Sequence, residues 1–256
     1  MTAVRALAFG DLEGACWGAA WVPEGALPIL ALGAGSAAQA RPASLTAQPD
    51  TGDWHLEAGD AQLLVSPLAE LASSDPPDAN GSSNQLCRVS GGMRSGDQER
   101  AVDLLGWRAE STLAVGEGRL GSLRQVCAWF DPDEGVALLA LRPDKARGQD
   151  ADVISAAVRE PRLTGPISDP RLSTTYDDDG RPTRAGLELW IGAETSSEEG
   201  GEQAERQYPR RLSGEALGAR VDWAVDGLAL HAALFRWHSR DRDGAGVYLL
   251  GVKQSA

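Results

Sequence analysis

An all-β protein built from antiparallel hairpins is what this sequence predicts, and three observations carry that prediction. Short apolar runs break at Asp/Gly turns and then resume, at residues 50–52, 131–135, 177–180, 226–227 and 241–246. Asp and Gly tolerate the backbone angles of tight turns, so strand–Asp/Gly–strand marks a hairpin. Long stretches with a helical period are almost absent. Eight tryptophans, against three tyrosines and three phenylalanines, offer large apolar surfaces with one donor each, suited to barrel interiors, pocket walls or a plain core.

The elements follow in order. Residues 15–22 and 27–33 read as strands about the turn Pro-Glu-Gly-Ala, and residues 54–58 and 61–66 as a hairpin about Gly59 and Asp60. Residues 86–93 and 100–109 flank a polar turn, and 111–115 adds another strand. In the second half the strands are 123–130, 136–141, 153–158, 171–176, 184–192, 207–216, 220–225, 228–238 and 247–253. Residues 67–72 (PLAELA) read as one short helix, because Pro67 fits a first helical position where no N–H is needed. A two-turn helix over 122–130 would be stopped at Asp131 and Pro132. Two polar stretches, 73–84 and 195–206, carry too little apolar surface to offset the entropy of ordering and read as excursions from the β scaffold.

Roughly sixteen strands exceed one ordinary sheet and are about twice what a small barrel needs. Two packed barrel-like halves, residues 1–118 and 119–256 with a joint near 116–121, solve the problem; one large β-sandwich is the alternative. At 256 residues either arrangement buries a real core.

A net charge of −13 argues against nucleic acid and anionic membrane surfaces as partners, since both require a basic face. Cys16, Cys87 and Cys127 are odd in number and scattered, which fits free, buried thiols in a reducing, cytoplasmic setting. Asp11 comes too early for a signal peptide, and Glu24 stands where the apolar run 27–35 would need positive charge. No apolar stretch reaches the length of a membrane-spanning helix.

Few motifs carry chemistry. Gly116, Gly118 and Gly121 match the spacing of a dinucleotide loop, but that loop must open a helix inside a βαβ unit, and here hairpins surround it. Asp177–Asp179 lacks the ligand spacing of a calcium loop, and His55, His231 and His238 are too scattered for zinc. No metal or cofactor is expected.

The hairpin at Asp226–Gly227 is readable residue by residue. A two-residue turn places Val225 opposite Leu228, Trp223 opposite Leu230, and Asp222 opposite His231. One face then carries Val221, Trp223, Val225, Leu228, Leu230 and Ala232 as core. The other carries Asp222, His231, Ala233, Phe235 and Trp237. An Asp–His pair beside aromatics orients an imidazole for proton transfer, or else is an ordinary exposed pair. Further on, Arg236, His238, Arg240 and Arg242 alternate, as an anion site or as a solvated strand end. Residues 169–190 offer Arg171, Ser173, Thr174, Thr175, Tyr176, Arg184, Glu188 and Trp190 on one hairpin, as ligand anchors or as a polar edge.

The runs 16–21 (CWGAAW), 185–190 (AGLELW) and 211–215 (RLSGE), set in two Trp-rich barrel-like halves, resemble the two-part lipocalin-like proteins of the AttH and carotenoid-hydratase type. That resemblance implies a cavity for an apolar or amphipathic small molecule, with acid/base chemistry as an option. The expected function is binding of such a molecule as a carrier or sensor, with Arg184, Glu188, Trp190, Trp223, Trp237 and Arg236 as ligand contacts. A hydratase- or isomerase-type enzyme is the second expectation, with His231 as acid/base, Asp222 orienting it and Tyr176 as a further proton donor. A protein–protein module with filled barrels is the third. Oligomeric state is not readable from the sequence.

Overall fold

The computed structural model describes residues 3–34, 37–73, 83–95, 98–113, 120–147, 151–160, 167–191 and 208–254. Its first sheet is formed by β1 (Ala3–Gly10), β2 (Trp17–Pro23), β3 (Ile29–Ala34), β4 (Ala37–Pro42), β5 (Ser44–Ala47), β6 (Trp54–Ala58), β7 (Ala61–Glu70), β9 (Ser83–Ser95) and β10 (Gln98–Thr112). The second contains β8 (Ala72–Ser73), β11 (Leu120–Asp131), β12 (Glu134–Pro143), β13 (Val153–Arg159), β14 (Ile167–Tyr176), β15 (Pro182–Ile191), β16 (Tyr208–Val225), β17 (Leu228–Ser239) and β18 (Arg242–Lys253). Every pairing is antiparallel. The fold is all-β, two sheets each nearly closed into a barrel.

Closure follows from connectivity. The first sheet runs β4-β3-β2-β1-β10-β9-β7-β6-β5, so its two edge strands are consecutive in the chain. Only Ala43 separates them, and its N–H donates to the Pro28 carbonyl at 2.8 Å. A sheet whose edges are one residue apart has to curl until they meet. In the second sheet, edge strand β14 packs beside β13, near the opposite edge. The two barrels also interlock, because β8 leaves the first half of the chain and pairs with β13 (Val158 with Ala72).

Alternation along each strand sorts side chains between layers. On β1, Leu7 and Phe9 enter the first barrel, whereas Val4, Ala6 and Ala8 face a layer shared with the second. On β17, Ala233, Phe235 and Trp237 fill the second barrel, whereas Leu230, Ala232 and Leu234 face the shared layer. Most tryptophans lie in that layer rather than in a barrel interior: Trp17, Trp21, Trp107, Trp129 and Trp223. Small partners make room for them. Gly33 is one, since a Cβ there would stand 1.8 Å from Trp17 Nε1.

Several expectations are corrected. Residues 67–72 are strand, not helix: Pro67 sits opposite Cys87 at a register shift, where a missing N–H is tolerated in a sheet. Residues 122–130 belong to β11, held by ladders on both sides. The segments 207–216 and 220–225 are one long strand, β16, with an irregularity between Ala216 and Arg220. β1, β4 and β5 were missed because alanine-rich and short polar runs carry no strand periodicity of their own, and residues 111–112 end β10 rather than opening a further strand. The last turn is at Arg240 and Asp241, not 241–246, and Gly244 and Gly246 lie within β18, where Phe130 and Trp237 occupy the space of a Cβ. Most of the stretches 73–84 and 195–206, and residues 116–119 of the glycine motif, lie outside the described residues.

All three cysteines are free and buried. Burial pushes the Cys16 thiol up to about 11, with Asp11 adding to it, and the Cys127 thiol up to about 12; Cys87 goes further in the same direction. Because the thiolate is the reacting form, none should react with Ellman's reagent at neutral pH until the protein is unfolded, and a fast native-state reaction would contradict this burial. Trp107→Ala should cost about 3–5 kcal/mol by equilibrium urea denaturation, since the ring is fully buried in the shared layer and its loss leaves a cavity there. A loss under about 1 kcal/mol would show that the layer is not the core we describe.

Candidate functional site

The β16–β17 turn is the two-residue kind, with Asp226 and Gly227 both left-handed at φ 46° and 75°. Register then follows, and Asp222 pairs with His231. The same level runs around the second barrel as His231, Leu250, Arg124, Ala140 and Ile154. One level deeper come Ala233, Tyr248, Val126, Leu138 and Ala156. His231 thus belongs to one end of the barrel, above a floor of Tyr248 and Phe235, whose rings lie 5.6 Å apart.

His231 Nδ1 hydrogen-bonds Asp222 Oδ1. The carboxylate has only acceptors, so Nδ1 carries the proton and donates it, leaving Nε2 with a bare lone pair in the neutral ring. That Nε2 is buried and has no hydrogen-bond partner among the described residues. The His231 side chain is 9% exposed and that of Asp222 54%, so the pair runs from the barrel interior to its rim.

The rim is tied down from the β14–β15 turn. The Asp177 carboxylate accepts the Arg181 N–H at 2.8 Å and the Asp179 N–H at 3.1 Å. Arg181 then reaches Asp222 Oδ2 at 2.7 Å, and Arg220 reaches Asp177 at 3.4 Å. On the inner side of β14, the Thr174 hydroxyl hydrogen-bonds the Tyr248 hydroxyl at 2.9 Å, and Tyr176 lies beside them. Burial first, then the Tyr176 phenol, raises the Tyr248 pKa above the ordinary tyrosine range. Arg124 and Arg142 clamp Asp152 on the neighbouring strands. The far end of the barrel is plugged by Arg210, which donates to Glu134 at 2.8 Å and to Glu160 at 2.6 Å.

The structure gathers Asp222, His231 and Tyr176 at this end but scatters the other six candidates. Trp237 is buried in the barrel core, stacked on Phe235 with ring centroids 5.9 Å apart. Trp223 belongs to the shared layer. Arg184 and Arg236 flank Glu215 on the outer wall, because Ala185, Leu187 and Phe235 take the inward positions. Glu188 also faces out, pairs with Arg211 at 3.5 Å, and lines a shallow trough of about 500 Å³ with Arg171, Ser173, Gly186 and Ser213. Trp190 is half-buried on the same wall. Arg236, His238, Arg240 and Arg242 do not form one row, because the chain reverses at Arg240; His238 pairs with Asp243, and Arg242 with Asp131 and Glu134.

Sequence reasoning named Thr174 on the 169–190 hairpin but missed Tyr248, Arg181 and Arg124. Tyr248 could have been found by counting register from a turn at Arg240–Asp241, had that turn been placed correctly. Arg181 reaches the site from the β14–β15 turn and Arg124 from β11, both far from His231 in sequence. Among the described residues no cluster of His, Cys, Asp and Glu has the makings of a metal site.

No protein-family model matches the sequence, and a search of curated proteins returns no match. Solved structures do match. CghA with Sch210972 superposes with a TM-score of 0.62 at 11% identity, covering 99% of this chain and 89% of that one. A second CghA structure gives 0.59 at 12% identity, with the same coverage of 99% and 89%. An AttH candidate from Nitrosomonas europaea gives 0.58 at 12% identity, covering 98% of this chain and 92% of that one. The chain has the two-part lipocalin-like fold of the AttH type. At such identities the likeness speaks for the fold alone.

Hydrogen bonds from the Arg181 and Asp179 amides, with Arg220 and Arg181 nearby, hold the Asp177 carboxyl below the ordinary aspartate range. The native state favours the charged form, so this contribution is present above about pH 3.9 and is lost as pH falls through the lower native value. Amide exchange at Arg181 and Asp179, corrected for intrinsic rates, should lose protection on acidification before the β16–β18 core does. Unchanged protection down to global unfolding would sink this assignment.

Proposed function

We propose that this protein binds an apolar or amphipathic small molecule at the His231 end of the second barrel, as a carrier or sensor. The observation that carries the reading is the buried, unpartnered Nε2 of His231, held in one tautomer by Asp222. A buried polar atom without a partner costs about 1–3 kcal/mol, and a ligand hydroxyl donated to Nε2 would recover it. Around it, Ala229 and Ala233 on β17 and Ala224 on β16 share its face. Nε2 is sealed from solvent, and the way in under this reading is the rim held by the Arg181–Asp222 and Arg220–Asp177 pairs. Both are surface pairs of the kind worth at most about 1 kcal/mol, a weak latch. The CghA structure with Sch210972 supports the general idea that a chain of this fold accommodates a small organic molecule.

The same dyad supports a second reading, an isomerase- or hydratase-type enzyme. A lone pair on Nε2 backed by a carboxylate can remove a proton from a hydroxyl or a bound water, and the Tyr176 phenol offers a proton for return to another atom. An isomerisation balances this way with no co-reactant.

Decanol should quench or shift tryptophan fluorescence saturably, and its methyl ether, which has no O–H to donate, should bind about tenfold more weakly. His231→Phe should erase that difference. No saturable decanol binding, or equal affinity for alcohol and ether in the native protein, would remove the basis of both readings.

A further inference from the structure

The mouth of the first barrel holds a buried charge that is treated unlike the other buried charges among the described residues. Arg108 is 5% exposed. It projects inward from β10, with its guanidinium 4.8 Å from the centre of the Trp54 ring. Its Nε and Nη2 donate to Gln85 Oε1 at 2.9 and 2.7 Å, and its Nη1 to the carbonyls of Gly52 at 2.6 Å and Val65 at 3.5 Å. These acceptors are all neutral. By contrast, Arg210 meets Glu134 and Glu160, and Asp152 meets Arg124 and Arg142. Asp53 and Glu110 act on Arg108 only through space, and no carboxylate among the described residues is in ion-pair contact with it.

A pocket of about 290 Å³ opens beside this guanidinium, lined by Gln48, Trp54, Ser83, Gln85, Arg108 and Glu110 among others. Because Arg108 can only donate, the Gln85 amide must turn its oxygen towards Arg108, which leaves the Gln85 NH2 free to donate elsewhere. One Nη2–H of Arg108 is likewise uncommitted among the described residues. The Ser83 hydroxyl adds a further donor to the lining. Glu110, the carboxylate in the lining, is already held by Arg5 at 2.9 Å. The site is rich in donors and short of negative charge.

We propose that the mouth of the first barrel binds a small carboxylate, received by Arg108 and the Gln85 amide. One carboxylate oxygen accepts from Arg108 Nη2–H and the other from Gln85 Nε2–H, with the apolar remainder against Ala47 and Pro49. The ligand supplies the negative charge that a buried guanidinium otherwise lacks. Burial draws the Arg108 pKa below the ordinary arginine range, the direction expected of a cation short of a counter-ion. This site lies in the other barrel from His231 and does not depend on the reading of that residue.

Calorimetric titration of the whole protein with benzoate and octanoate, and with benzamide as the neutral isostere, tests it. At least one carboxylate should bind saturably, and benzoate should bind about tenfold more tightly than benzamide. Gln85→Met should weaken carboxylate binding several-fold, and Arg108→Met should abolish the preference for charge. His231→Phe should leave carboxylate binding untouched, which separates failure here from failure at the second barrel. Absence of carboxylate binding at millimolar concentration, equal binding of benzoate and benzamide, or unchanged benzoate binding in Arg108→Met would each overturn the proposal. If Arg108→Met does not fold, Gln85→Met and the amide comparison in the native protein decide the matter.

Discussion

A sheet curled into a barrel has an outer face as well as an inner one, and in a pair of barrels part of each outer face can be buried against the other. Here that shared layer organises the molecule. β1, β2, β10, β11, β17 and β18 contribute alternate residues to it and the remaining ones to their own barrel. Trp129 donates its indole N–H to the Gly10 carbonyl at 3.1 Å, tying β11 to the end of β1. The indole nitrogens of Trp17, Trp107 and Trp223, however, are buried without an acceptor among the described residues. Packing of large rings against alanine and glycine outweighs three unmet donors. Each costs about 1–3 kcal/mol, while a buried tryptophan is worth about 3–5 kcal/mol by truncation.

With the two barrels fixed against each other, the buried charges among the described residues gather at their ends, and each end is handled differently. The plug of the second barrel is an ion-paired cluster, Arg210 with Glu134 and Glu160, in which the Glu160 Oε2 atom alone has no hydrogen-bond partner among the described residues. Its other end carries a polar ring whose histidine keeps one nitrogen bare. The mouth of the first barrel keeps a guanidinium among neutral acceptors. Paired groups of the first kind hold structure together. Incompletely matched groups of the other two kinds are where a ligand has something to gain, because the low-dielectric surroundings make each missing partner expensive.

How much of this could be read beforehand depended on sequence separation. The Asp222–His231 contact needed only a turn type and a count of residues, since the partners are nine apart on one hairpin. Arg181 reaches Asp222 across 41 residues and Thr174 reaches Tyr248 across 74, and no local pattern encodes either contact. The outward-facing Arg184 and Glu188 were attractive as ligand anchors because a polar strand face looks the same whether it lines a cavity or meets water. Trp223 read as core, whereas Trp237 fell on the face of the Asp222–His231 pair. Yet the sequence could not say that one belongs between the barrels and the other within one.

What the sequence alone determined is the hairpin grammar: Asp/Gly turns, period-two alternation, and enough strands for two barrels. These are local properties, set by backbone angles at a few turn residues and by which face each side chain must take. What only the tertiary structure decided is which face became the shared layer, how β4 and β5 closed the first barrel around Ala43, and which charges met a partner. Strand faces of similar hydrophobicity cannot be told apart until a second sheet covers one of them, and a buried charge reveals its lack of a partner only once every neighbouring strand is in place.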